Sequence, residues 1–153
     1  MKVIKYTTEI EDGKNILVKE SSSYCPEFNA LDSPQKVADF MNFVYNANKK
    51  AEEYMWLLAL DTKSHLIGLF ELSHGTVNSS LVSPREIFVR LCLCGASTFV
   101  LVHNHPSGDC TPSNVDIATT RKIDDAAKIM GIALSDHIVI GNKYYSFREF
   151  GLL

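Results

Sequence analysis

The sequence predicts an α/β fold in which a mixed β-sheet is flanked by helices, and three observations lead there. Short apolar runs of strand length alternate with longer runs whose apolar residues recur at helical spacing. Serine and proline are paired at Ser33-Pro34, Ser83-Pro84 and Pro112-Ser113, which marks three helix starts. The chain has 153 residues, 46% hydrophobic and 22% charged, which suits one ordinary core and neither a disordered nor a fibrous architecture.

Taken in order, residues 2–6 and 16–20 read as two short strands around an Asp12-Gly13 turn, followed by a polar loop over residues 21–31. Ser33 supplies an N-cap and Pro34 the first helical position. Val37, Phe40, Met41, Val44 and Tyr45 then trace the apolar stripe of an amphipathic helix. Residues 54–60 are nearly all apolar and too few for an independent helix, so they read as a buried strand. Residues 61–64 are its turn, and residues 65–73 its hairpin partner. Beyond a turn at Gly75 a short polar strand precedes Ser83-Pro84-Arg85-Glu86, an S-x-x-E capping box opening a helix that Gly95 ends. Residues 97–102 lie between Gly95 and Pro106 and fit a central strand. The last long helix begins at Pro112-Ser113, takes its apolar positions from Ile117, Ile123, Ala127 and Ile129-Met130, and stops at Gly131. Residues 132–140 and 144–147, around Gly141-Asn142, complete the sheet. There is no repeat, low-complexity segment or internal linker.

A net charge of −3 argues against a surface built to neutralise phosphates, so direct nucleic-acid contact is not expected. No stretch approaches the ~20 apolar residues that span a bilayer, and the first residues lack the apolar run of a signal peptide. A cytoplasmic protein without membrane attachment is the expectation. Cys25, Cys92, Cys94 and Cys110 form no CxxC pair and no spacing that readily closes a disulfide, so free, mostly buried thiols are expected.

The segment that carries chemistry is HNHPSGDCTPSNVD, residues 103–116. Side chains alternate along an extended chain, so His103 and His105 point to one side and Asn104 to the other. The following loop, with two prolines and a glycine, delivers Asp116 into the first turn of a helix, where side chains lean back toward the N-terminus. The helix dipole favours the ionised carboxylate there, as a metal ligand requires. Two imidazoles and one carboxylate suit zinc, and three protein ligands leave a fourth tetrahedral position open, which points to catalysis rather than structure. Ser113 and Asp116 fit equally well as a helix cap and its first-turn acid, and one role does not exclude the other.

The pattern HxH, seven residues, Ser, two residues, Asp resembles the JAMM (MPN+) metallopeptidase motif, and the full string resembles the RadC branch of that family. Leu60-Asp61-Thr62-Lys63, Gly75-Thr76 with Asn78-Ser79, Ser83-Pro84-Arg85-Glu86 and Asp136-His137-Ile138-Val139-Ile140-Gly141 look RadC-like as well. The resemblance covers residues 33–153. It implies a JAB/MPN, cytidine-deaminase-like fold there, with residues 1–32 as an N-terminal hairpin and loop extension.

It also implies zinc-dependent hydrolysis of peptide or isopeptide bonds in a peptide or protein substrate. The family glutamate, at the edge of the strand after the first helix, corresponds to Glu53 as general base and acid. The family serine that donates to the oxyanion corresponds to Ser113. Glu52 is one register off and would face away. Glu71 and Glu86 compete as the base, although Glu86 is already engaged by its capping box. His137 fits either a residue behind the metal ligands or a packed core histidine, and His65 and His74 default to the surface.

The sequence departs from the family in two places. The helix-hairpin-helix region associated with DNA binding does not precede the first helix, and Cys110 stands where the family loop often has proline. A DNA-repair-associated accessory module without its own DNA-binding region is the alternative reading. The physiological substrate and the oligomeric state are not legible.

Overall fold

In the computed structural model, which describes residues 1–75 and 82–153, the elements are β1 (Lys2–Glu11), β2 (Lys14–Tyr24), α1 (Pro34–Tyr45), β3 (Glu53–Leu60), β4 (Leu66–Gly75), α2 (Pro84–Cys94), β5 (Thr98–Asn104), α3 (Asn114–Met130), β6 (Ala133–Ile140) and β7 (Tyr144–Ser146). The short polar strand expected after Gly75, and the Gly75-Thr76 and Asn78-Ser79 pairs, reach into residues outside those described. The strands form one sheet in the order β2-β1-β4-β3-β5-β6-β7. It is mixed: β1 runs parallel to β4 and β5 parallel to β6, and the other pairings are antiparallel.

Burial by alternation explains the layers. Trp56, Leu58, Val100 and Val102 pack on one face with Val37, Phe40 and Met41 of α1. Met55, Leu57, Phe99 and Leu101 point the other way, onto Ile87 and Leu91 of α2 and Ile123 and Ala127 of α3. Trp56 is fully buried, stacked between Tyr45 and Tyr54, so it is core rather than an exposed stacking platform. Among the described residues no helix is long and apolar enough to cross a membrane.

The N-terminal hairpin is longer than its apolar pattern suggests and belongs to the common sheet, with Lys5 of β1 paired to Leu69 of β4 and Val3 buried in the same cluster as Val37, Phe40 and Met41. Its turn is as read: Asp12 and Gly13 both have positive φ, at 48° and 74°.

The α-helices α1, α2 and α3 each begin with a serine cap that accepts a backbone N–H from the third helical residue. Only half of the α2 box forms. Ser83 Oγ accepts from Glu86 N, but the Glu86 carboxylate turns outward to Arg85 and Arg90, at 3.2 and 3.0 Å. Of the four free cysteines only Cys25 is buried; Cys92 is exposed, and Cys94 and Cys110 are half-buried. Membership of a core strand or helix therefore did not guarantee thiol burial.

The β6–β7 turn braces the loop that follows β5. His105 N donates to Ile140 O and Asn142 N to Gly108 O, both at 2.8 Å. The approach is so close that a methyl group at Gly141 would lie 2.7 Å from the Gly108 carbonyl carbon. Gly141→Ala is therefore expected to lower stability by about 1–3 kcal/mol, as overpacking does. It should also loosen the loop between His105 and Asp116. Denaturant unfolding checks the first effect and hydrogen exchange of the loop amides the second.

Candidate metal centre

The donor groups converge because three elements end at one place. β5 carries His103 as the continuation of the Phe99 and Leu101 face, so its ring enters the α2/α3 side of the sheet fully buried. His105 follows two residues on, and its Nε2 lies 3.1 Å from Nε2 of His103. The loop returns at α3, whose first turn supplies Asp116. Its Oδ1 is 3.5 Å from His103 Nε2, and its Oδ2 is 3.7 Å from His105 Nε2. β3 is antiparallel to β5, so its first residue, Glu53, arrives at the same end. One carboxylate oxygen of Glu53 and a ring nitrogen of each of the two histidines lie within 4.8 Å of one another.

Hydrogen bonding determines which atoms are available. His105 Nδ1 meets the Asp109 carbonyl at 2.7 Å; a carbonyl can only accept, so Nδ1 carries the proton. In the neutral ring Nε2 is then a bare lone pair. His103 Nδ1 meets His137 Nε2 at 2.8 Å inside the core. Burial, reinforced by repulsion from His103, depresses the His137 pKa well below its ordinary value, so that ring is neutral. Two ring nitrogens thus face each other at 3.1 Å beside carboxylates, a donor set that could hold a cation.

Asp116 is held more firmly than either imidazole. Its Oδ2 accepts from Ser113 N at 2.7 Å and from Ser113 Oγ at 2.6 Å, while its own N–H donates to Ser113 Oγ in a reciprocal capping box. Burial alone would raise its pKa. The contacts with His103 and His105, which donate to it when their rings are protonated, and with Ser113 outweigh that and hold the carboxyl far below the usual carboxylate range. The contact with Asp116, made when His105 Nε2 carries a second proton, raises the His105 pKa against the opposing effect of burial. Glu53 differs from Asp116: among the described residues nothing donates a hydrogen bond to its carboxylate.

The fit to zinc can be tested on these distances. A tetrahedral site with zinc–ligand bonds of about 2.0–2.1 Å has edges of about 3.3–3.4 Å. The two Nε2 atoms lie 3.1 Å apart, and the Asp116 carboxylate approaches them through different oxygens, Oδ1 at 3.5 Å from His103 and Oδ2 at 3.7 Å from His105, all separations near that value. Two nitrogens and a carboxylate oxygen are also a donor set that zinc accepts. The residues fit the ion.

The structure thus brings together Glu53, His103, His105, Ser113 and Asp116, the five residues singled out in the sequence. It also shows partners that the sequence left unread. Asn104 is buried on the far side of β5, where its Oδ1 accepts from Tyr54 N at 2.8 Å and its Nδ2 donates to Glu52 O at 3.0 Å. These two bonds clamp the backbone on either side of Glu53. Asn104→Leu strands both groups and is expected to cost about 1–3 kcal/mol, readable by denaturant unfolding. Behind His103, His137 Nδ1 meets Thr120 Oγ1 at 2.6 Å. A buried polar residue on a strand with no local partner was the available signal for Asn104; Thr120 offered none. His65 and His74 are exposed and bond to Asp61 and Glu71, away from the centre.

A family model described as the RadC-like JAB domain matches residues 31–152. A UPF0758 protein of Pelobacter propionicus is 45% identical over 122 residues, covering 79% of this chain and 52% of its own. One from Desulfitobacterium hafniense is 40% identical over 124 residues, 80% of this chain and 54% of that protein. One from Bacillus velezensis is 36% identical over 154 residues, covering all of this chain and 64% of its own. The chain spans about half the length of the first two of these relatives.

Proposed function

From a chain that belongs to the RadC-like JAB domain family, we infer a zinc-dependent hydrolase that cleaves peptide or isopeptide bonds in a peptide or protein substrate. The observation that carries this reading is the convergence of His103 Nε2, His105 Nε2 and the Asp116 carboxylate within 3.7 Å of one another, with the second carboxylate of Glu53 beside them.

In this reading His103, His105 and Asp116 hold zinc, which when bound supplies Lewis acidity toward water and toward an amide carbonyl. The division of labour between the carboxylates follows from their surroundings. Asp116 is pinned by Ser113 and stays ionised, as a ligand must. Glu53 is half-buried and receives no hydrogen bond from the described residues, so its carboxylate can take a proton from the attacking water and swing to deliver it to the departing amine nitrogen. The Asn104 clamp keeps the Glu53 backbone in place while its side chain moves. Ser113 Oγ has one proton, directed in the structure at Asp116 Oδ2. Rotated toward substrate, that proton would stabilise the oxyanion of the tetrahedral adduct.

Protein purified without added zinc is expected to contain close to one equivalent and to cleave some members of a panel of linear and isopeptide-linked peptides. Chelation should abolish cleavage and zinc should restore it. Metal-free protein that cannot be loaded, or loaded protein inert across the panel, would remove this function.

A further inference from the structure

Four buried groups form a chain behind the metal ligands. His103 Nδ1 lies 2.8 Å from His137 Nε2, His137 Nδ1 lies 2.6 Å from Thr120 Oγ1, and Thr120 Oγ1 donates to the Asp116 backbone carbonyl at 2.6 Å. His103, His137 and Thr120 are each completely shielded from solvent. No water intervenes in any of these contacts, because direct hydrogen-bond distances leave no room for one.

Such a chain can run in only two directions. In one, Thr120 gives its single proton to the Asp116 carbonyl, so its oxygen accepts from His137 Nδ1–H. His137 Nε2 is then bare and accepts from His103 Nδ1–H, and His103 Nε2 faces the centre as a lone pair. In the other, Thr120 donates to His137 Nδ1, His137 Nε2–H donates to His103 Nδ1, and a proton sits on His103 Nε2, aimed at His105 Nε2 only 3.1 Å away. The second arrangement closes the position a cation would take. A backbone carbonyl cannot donate, so the contact with Asp116 O selects the first.

We propose that Thr120 and His137 are positioning residues that fix the proton of His103 on Nδ1, so that a helix hydroxyl 17 residues before His137 decides whether His103 can ligate a metal. This rests on the reading of His103 as a zinc ligand. The chain also closes on itself through the site: it leaves β5 at His103, crosses β6 at His137, enters α3 at Thr120 and returns to Asp116, the ligand opposite His103. Two of the three ligands are thereby held by one continuous set of bonds, which sets the ring plane of His103 as well as its tautomer.

The test compares wild type with Thr120→Val, which keeps the shape and removes the hydroxyl, and Thr120→Ser, which keeps the hydroxyl. Long-range nitrogen–proton NMR spectra of chelator-stripped, nitrogen-labelled protein, taken above the ordinary imidazole titration range, report which ring nitrogen bears the proton. Wild type and Thr120→Ser should show Nδ1–H on both His103 and His137. Thr120→Val should show a His103 Nε2–H population and bind zinc about 10–100-fold more weakly in competition with a chelator, with Thr120→Ser close to wild type. His103 Nε2–H in wild type, or a folded Thr120→Val with wild-type tautomer and zinc affinity, would overturn the proposal. If Thr120→Val fails to fold, the wild-type spectrum decides alone. A wild type that shows the Nδ1–H pattern but binds no zinc removes the metal reading and leaves the tautomer assignment standing.

Discussion

Glu53→Gln is expected to keep its zinc and its unfolding midpoint and to lose amide hydrolysis by about 10²–10⁴-fold, the usual worth of a positioned acid–base group. Glutamine is isosteric and the site is half-buried, so packing changes little. The Asn104 bonds that fix this part of β3 go to the backbone at Glu52 and Tyr54 and survive the substitution. Glutamine cannot accept a proton from water at its nitrogen and is a poor acid at its oxygen, so both halves of the proton transfer are lost. The measurement is kcat on a cleavable peptide beside zinc content by elemental analysis. Retained kcat would reassign the base. Glu71 is a weak substitute, since its carboxylate is already paired with His74 at 2.8 Å, and Glu86 is spread between two arginines.

Substitution of Asp116 should separate two jobs that one side chain performs. Asp116→Asn keeps an oxygen for Ser113 N and Ser113 Oγ and removes the charge. It is expected to unfold within about 1 kcal/mol of wild type, as capping substitutions that keep an acceptor do, while zinc affinity falls at least 100-fold for want of an anionic ligand. Asp116→Ala loses the reciprocal half of the box as well, and should add a stability loss of about 0.5–2 kcal/mol. Denaturant midpoints taken with excess chelator isolate the cap, and competition titration of zinc isolates the ligand. Equal zinc affinity in wild type and Asp116→Asn would show that another group, with Glu53 the nearest carboxylate, completes the donor set.

What could be read from the sequence divides along the range of the interactions. The caps at Ser33, Ser83 and Ser113 were legible because a cap is decided within four residues. The convergence of His103, His105 and Asp116 was legible for the same reason: a period of two and the first turn of a helix define where three side chains point. Glu53 is fifty residues from that segment, and no local pattern ties the two; the family resemblance supplied it, and the β3–β5 ladder is what joins them. The hairpin was read short because residues 7–11 and 21–24 are polar or exposed and lack the alternation that marks a half-buried strand. Its ladder runs through them regardless, from Lys2 opposite Tyr24 to Glu11 opposite Lys14. The parallel insertion of β1 beside β4, the Asn104 clamp and the Thr120–His137 contact are all long-range, and each residue alone looks unremarkable. The half-formed box at Glu86 failed for a local reason: two arginines within reach competed for the same carboxylate.

The antiparallel pairing of β3 with β5 has a consequence for the order of assembly. The proposed ligands from β5 and the start of α3 sit within fourteen residues of one another, whereas the Asn104 clamp closes a loop of 52 residues before Glu53 arrives. Short loops close at little entropic cost and long ones at more. A partly folded chain with only the later segment organised could therefore grip a cation while remaining inert toward amides. Under the proposed function, cleavage would become available only once β3 has paired with β5 and brought Glu53 to the site.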